Sequence, residues 1–91
     1  MSQLITIREV EQLVEHLNII TGNPVEYSSE VDGRWVQNEG HYYVQHQTGG
    51  YRLEQLCKHG ARDITSRGIK REVYNSIHYI LKGIDIGKQI S

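Results

Sequence analysis

Apolar residues at Ile7, Val10, Leu13, Val14, Leu17 and Ile20 recur every three or four positions, which lines them along one side of a helix. Thr6 and Glu9 have capping-box spacing, the threonine oxygen and the glutamate each placed to meet a free N–H of the first turn. Ile5 and Val10 have staple spacing around that cap. Gly22 ends the helix, and Asn23-Pro24 prevents its continuation. His16 falls beside the stripe and reads as a surface side chain. A second stripe, Ile69, Val73, Ile77, Ile80, Leu81 and Ile84, predicts another helix. It starts near Thr65 or Ser66, both acceptable caps, and ends near Gly83 or Gly87. With Thr65 as cap, Ile64 and Ile69 again have staple spacing.

Between the helices the period drops to two. Val25, Tyr27, Ser29 and Val31 alternate with Glu26, Ser28 and Glu30, as in a strand with one wet face. Asp32-Gly33 is a two-residue hairpin signal, since both central residues of the favoured turn need positive φ. Arg34-Trp35-Val36-Gln37 returns as a second strand, and Asn38-Glu39-Gly40 turns the chain. Residues 41–47 and 51–57 make a third and a fourth strand, joined at Gly49-Gly50, a pair suited to a tight turn or a close backbone approach. If Val44 faces the core, Tyr42 and His46 do too, and His41, Tyr43 and Gln45 take the open face. If Leu53 faces the core with Tyr51, Arg52 and Glu54 join that open face. Residues 58–63 read as a polar loop, and 86–91 as a frayed tail. The predicted architecture is α+β: a two-layer α-β-β-β-β-α domain over 1–91, with a four-stranded antiparallel meander and both helices on one face. The other sheet face is left for solvent, a ligand or a partner.

The 91 residues suit one domain. Such a chain buries only roughly 60–65% of its unfolded surface, which makes a homo-oligomer the expected state. Phe is absent, so six tyrosines and Trp35 supply all the aromatic bulk, each tyrosine with a hydroxyl that needs a partner. The lone Cys57 has no internal disulfide partner, which points to a reducing compartment. No apolar run approaches the ~18 residues that span a bilayer, and the amino terminus lacks a leader pattern, so an intracellular protein without membrane contact is expected. Net charge is −1, unevenly spread: residues 1–40 carry seven acids and two bases, residues 41–91 eight bases and four acids. That asymmetry allows one face to meet anions, or the acidic first helix to pack near the basic second one.

His41, His46, Cys57 and His59 lack the close ligand pairs of structural zinc sites, and His41 and His46 point to opposite faces of a strand, so no metal is expected. Cys57 and His59 are neighbours on an extended chain without the orientation for proton transfer, and no phosphate loop or dinucleotide pattern is present. Neither catalytic residues nor a cofactor is expected. Anion binding is the stronger candidate. Arg67, Lys70 and Arg71 fall in the first turns of the second helix, where bases oppose the helix dipole at roughly 0.3–1 kcal/mol each unless something negative lies nearby. Arg52, Lys58 and Arg62 are candidates to converge there. Tyr43 and Tyr51 offer faces on which a base stacks, with Arg52, Arg67, Lys70 and Arg71 to meet phosphates. A near-neutral chain is a poor binder of polymeric phosphate, so nucleic acid is a weaker expectation than a small phosphate-bearing ligand of the nucleotide class. A protein-interaction module, docking through its open sheet face or an edge strand, is the alternative.

Gly40-His41-Tyr42, Gly49-Gly50-Tyr51-Arg52-Leu53 and Ile69-Lys70-Arg71-Glu72-Val73-Tyr74 together resemble a group of small proteins from tailed bacteriophages and prophages. Those share a Gly-Gly-Tyr-(Arg/Gln)-Leu strand and a Lys-Arg-Glu-Leu-Tyr helix, and the likeness spans nearly the whole chain. It departs at Gln45-His46-Gln47-Thr48, where small and acidic residues are more usual, and at 58–63, which has fewer glycines. The resemblance implies phage origin, action in the host bacterial cytoplasm, and a non-catalytic accessory role. Such proteins interfere with host defence by sequestering a nucleotide signal or by blocking a protein.

Overall fold

The computed structural model describes residues 4–90 and has the order α1 (Ile7–Thr21), β1 (Ser28–Val31), β2 (Arg34–Gln37), β3 (Tyr42–Gln47), β4 (Gly50–Cys57), β5 (Gly60–Asp63) and α2 (Lys70–Ile90). The class is α+β, as the hydrophobic pattern indicates. Local signals set α1. The Thr6 side chain accepts from the Glu9 N–H, and Gly22, at φ 74°, takes the left-handed conformation that closes the carboxyl end. Val10, Val14 and Leu17 of α1 meet Leu53 of β4 and Val73 and Ile77 of α2 in one buried cluster. Tyr42, Val44 and Tyr51 pack around it, so both helices cover the same face of the sheet that carries β3 and β4.

The four-stranded meander is not formed. β1 and β2 make a hairpin of their own, while β3-β4-β5 is a separate three-stranded antiparallel sheet. The break lies at Gly40. Its N–H and the His41 carbonyl both bond to Leu56, so two residues oppose one, and Gly40 sits at φ 96°. Such a bulge bends the strand and turns the preceding chain away from the ladder. The β1–β2 turn has Asp32 at φ 52° and Gly33 at φ 78°, the two positive values that the sequence required.

Residues 58–63 are not a loop: Lys58-His59 is a tight turn, and Gly60–Asp63 pairs with Glu54–Cys57 as β5. Nor does α2 begin at Thr65 or Ser66. The Thr65 hydroxyl accepts from the Leu53 N–H, and Gly68 forms a bridge with Tyr51, which keeps the chain extended until Lys70. Ile69 is therefore exposed, and the expected Ile64–Ile69 staple is absent. At the other end α2 continues through Gly83 and Gly87 to Ile90, where fraying from 86 was expected; Ser91 lies outside the described residues.

Gly49-Gly50 serves both purposes open to it. Thr48-Gly49 is the two-residue turn between β3 and β4, closed by Gln47 opposite Gly50. Gly50, at φ 125°, lets the backbone approach so closely that a Cβ there would collide with the Gly68 carbonyl oxygen.

Candidate functional site

The sheet face turned away from the helices carries Tyr43 and Gln45 of β3 opposite Glu54 and Arg52 of β4, the residues that take the open face when Val44 and Leu53 face the core. Glu54 is its centre. Only 6% exposed, it accepts the Tyr43 hydroxyl at 2.7 Å and the Arg52 guanidinium at 2.9 and 2.6 Å through Nε and Nη2. Arg52 also lies 3.3 Å from the Asp63 carboxylate. Burial pushes the Glu54 carboxyl up, but the hydrogen bonds from Tyr43 and Arg52, with the charges of Arg52 and Arg67, outweigh it and hold the group below its ordinary range. Tyr43 moves the opposite way: burial, the hydrogen bond to Glu54 and that carboxylate's charge raise its hydroxyl above the usual tyrosine range.

The expected ligand residues are not all gathered in one place: Tyr43, Arg52 and Arg67 meet around Glu54 and Gln45, and Tyr51 does not join them. Tyr43 and Tyr51 lie on opposite faces of the sheet, so they cannot sandwich one base. Tyr51 instead stacks on His46, ring centroids 4.3 Å apart, while Tyr43 meets the ring of Tyr27 edge-on. Arg52 is already paired with the chain's own carboxylates. Arg67 precedes α2 and reaches back to β3 and β4, donating to the Gly50 carbonyl and to the side chains of Gln45 and Gln47, all neutral acceptors. Arg62 donates to Gln55, and Lys58 stands exposed at the β4–β5 turn, so neither joins the others. At the start of α2 the Glu72 carboxylate accepts the Ile69 N–H, occupying part of the helix terminus that was expected to face an anion. A hollow of about 380 Å³ there is lined by Arg67 and Glu72, but not by Lys70 or Arg71.

A larger groove, about 650 Å³, runs between α1 and β3. Two polar residues shape its end: Asn18, which sequence reasoning did not single out, and His41. Asn18, 1% exposed, accepts the Tyr42 N–H at 2.8 Å and donates to the Tyr42 carbonyl at 3.0 Å, so its amide pairs with β3 as a neighbouring strand would. Its place four residues after Val14, on the buried stripe of α1, was the available signal. His41, expected on the open face, is buried because the bulge turns it inward, and its Nδ1 lies 2.8 Å from the Pro24 carbonyl.

The Asn18 contact shows which way β3 points. Residues of an antiparallel strand alternate between bonding one neighbour and the other. Tyr43, Gln45 and Gln47 bond to β4; Tyr42, Val44 and His46 point their N–H and C=O to the outer edge. Asn18 satisfies that edge at Tyr42 alone. At Val44 and His46 it opens beside the groove.

Among the described residues, no group of three or more His, Cys, Asp or Glu side chains is placed to hold a metal ion. No helix among them is long and apolar enough to cross a membrane. No family model, curated protein or solved structure matches the chain.

Proposed function

We propose that this protein is a non-enzymatic interaction module that takes up an extended segment of another protein as an added strand on β3. The observation that carries the reading is the outer edge of β3, capped by Asn18 at Tyr42 and unpaired at Val44 and His46 beside a groove of about 650 Å³. Strand addition draws affinity from main-chain hydrogen bonds and selectivity from the pockets that receive alternate side chains. The likeness of the Gly-Gly-Tyr-Arg-Leu and Lys-Arg-Glu-Val-Tyr stretches to phage proteins supports a host or phage protein as the target, met in the bacterial cytoplasm. His46→Pro tests the reading, because it removes an outward N–H without touching the β3–β4 ladder. A partner retained from bacterial lysate by the wild type and lost by this variant supports strand addition. Equal retention by both overturns it.

A second reading, a small phosphate-bearing ligand of the nucleotide class, is favoured by Arg67, whose guanidinium donates to neutral acceptors at the rim of the hollow by α2. Melts against cyclic and linear nucleotides test it, since saturating ligand must raise the midpoint.

A further inference from the structure

We infer that the segment received at β3 is basic, with lysine or arginine at alternate positions, an inference that rests on the strand-addition reading above. The groove is rimmed by Glu11 and Glu15 of α1 and by Glu26, with Arg8 the one Lys or Arg on a lining that also holds His41 and His46. All three glutamates are exposed, and none forms an ion pair among the described residues. Between them the floor is Tyr42, Val44, His46 and Tyr51.

The spacing of the rim matches a strand. α1 packs against β3, with Asn18 bonded to Tyr42 and with Ile7, Arg8, Glu11 and Glu15 lining the same groove. Glu11 and Glu15 are one turn apart on a single helix face, about 6 Å along the axis at 1.5 Å per residue. Side chains two apart on an extended segment share a face and lie about 6.8 Å apart. Two successive same-face side chains of an added strand therefore come level with Glu11 and Glu15. Their opposite charge makes lysine or arginine the complementary choice. The same rim disfavours a second copy of this chain pairing β3 to β3, which would bring two sets of these glutamates together.

Capped peptides and the full chain test the inference. A peptide alternating valine and lysine binds; its valine–glutamine counterpart is weaker by about tenfold, the scale of two partly exposed ion pairs, and a valine–glutamate peptide is weaker still. An isomer with the lysines consecutive falls to the glutamine level. The Glu11→Gln/Glu15→Gln double variant lowers the lysine peptide to the glutamine level, with its melt confirming the fold. In the wild type, the bound lysine peptide slows hydrogen exchange at the Val44 and His46 amides. Equal binding of the lysine and glutamine peptides overturns the basic preference and leaves strand addition standing. Equal binding of the consecutive isomer overturns the alternate spacing. No binding by any peptide, or binding without protection at Val44 and His46, overturns both readings.

Discussion

Glu54 shows how a single carboxylate reverses the reading of a cationic surface. The carboxylate is mostly removed from water and is held by Arg52 and the Tyr43 hydroxyl, so losing its charge forfeits charge-assisted hydrogen bonds, while the half-buried Arg52 keeps Asp63 as a partner. Glu54→Gln is expected to lower stability by about 2 kcal/mol, read from urea melts at neutral pH. The acid response follows from the sign of the shift. The folded-state pKa of Glu54 lies below its unfolded value, so its contribution is present above the ordinary carboxylate range and is lost as pH falls through the folded value. The wild type should therefore lose stability on acidification more steeply than Glu54→Gln, and parallel curves would exclude Glu54 as a source of that loss. Gly50→Ala makes a separate case. A side chain there meets both a positive φ and the Gly68 carbonyl, and a loss of about 2 kcal/mol or more is expected in the same melts.

Among the elements, β3 has two edges with different duties, and proline separates them. Gln45→Pro removes a ladder bond to β4 and should unfold the protein or lower its midpoint sharply, whereas His46→Pro loses an outward N–H and the ring stack on Tyr51 and should cost only about 1 kcal/mol, with His46→Ala as the control for the ring. Amide exchange gives the matching observation without mutation: Tyr43 and Gln45 protected, Val44 and His46 fast in the free chain. Asn18→Leu should cost about 1–3 kcal/mol, because it leaves the Tyr42 N–H and C=O without the amide that meets them in a buried place. These same contacts explain what could be read along the chain. α1 and the β1–β2 hairpin depend on neighbours in sequence: a threonine cap, a glycine end and the Asp32-Gly33 turn. The faces of β3 and β4 follow once Val44 and Leu53 share the core, whereas their register is set by the Thr48-Gly49 turn, which the Gly49-Gly50 pair left open. The start of α2 was hidden because Thr65 caps no helix and serves the Leu53 N–H, twelve residues back. β5 was hidden because Gly60-Ala61-Arg62-Asp63 has no apolar alternation, its pairing being set by the Lys58-His59 turn and the partner strand. The cations were legible as residues but not as a site, since the groups that hold them were not: Arg52 takes Glu54 two residues along its own strand, whereas Arg67 reaches Gln45 and Arg62 reaches Gln55 only once the strands are paired.

The whole molecule is longer and flatter than its length requires. Its extents are 51 × 41 × 20 Å and its radius of gyration is 14.2 Å, against about 12 Å for a compact chain of this size. The β1–β2 hairpin contributes to this: its strands pair only with each other, and Trp35 on one face and Val31 and Val36 on the other are all exposed, Trp35 by 73%. A two-stranded hairpin is marginal in water unless something packs against it, and apolar side chains on both faces are the pattern of a strand covered on both sides. A chain with a small core gains stability by covering such an arm in an assembly, in line with the homo-oligomer expected from its length. Trp35 is the sole tryptophan, so its fluorescence reports on the arm alone. Dilute protein should emit as a solvated indole, and emission should move to the blue as concentration rises, together with a larger sedimentation coefficient. Trp35→Ser should leave the monomer's melt within about 0.5 kcal/mol of wild type, because nothing is packed against the ring, while weakening association. If emission stays red and sedimentation monomeric at every concentration, the arm is not covered by a second copy. A blue shift that then came only with a bound partner would place the arm beside β3 in recognising it.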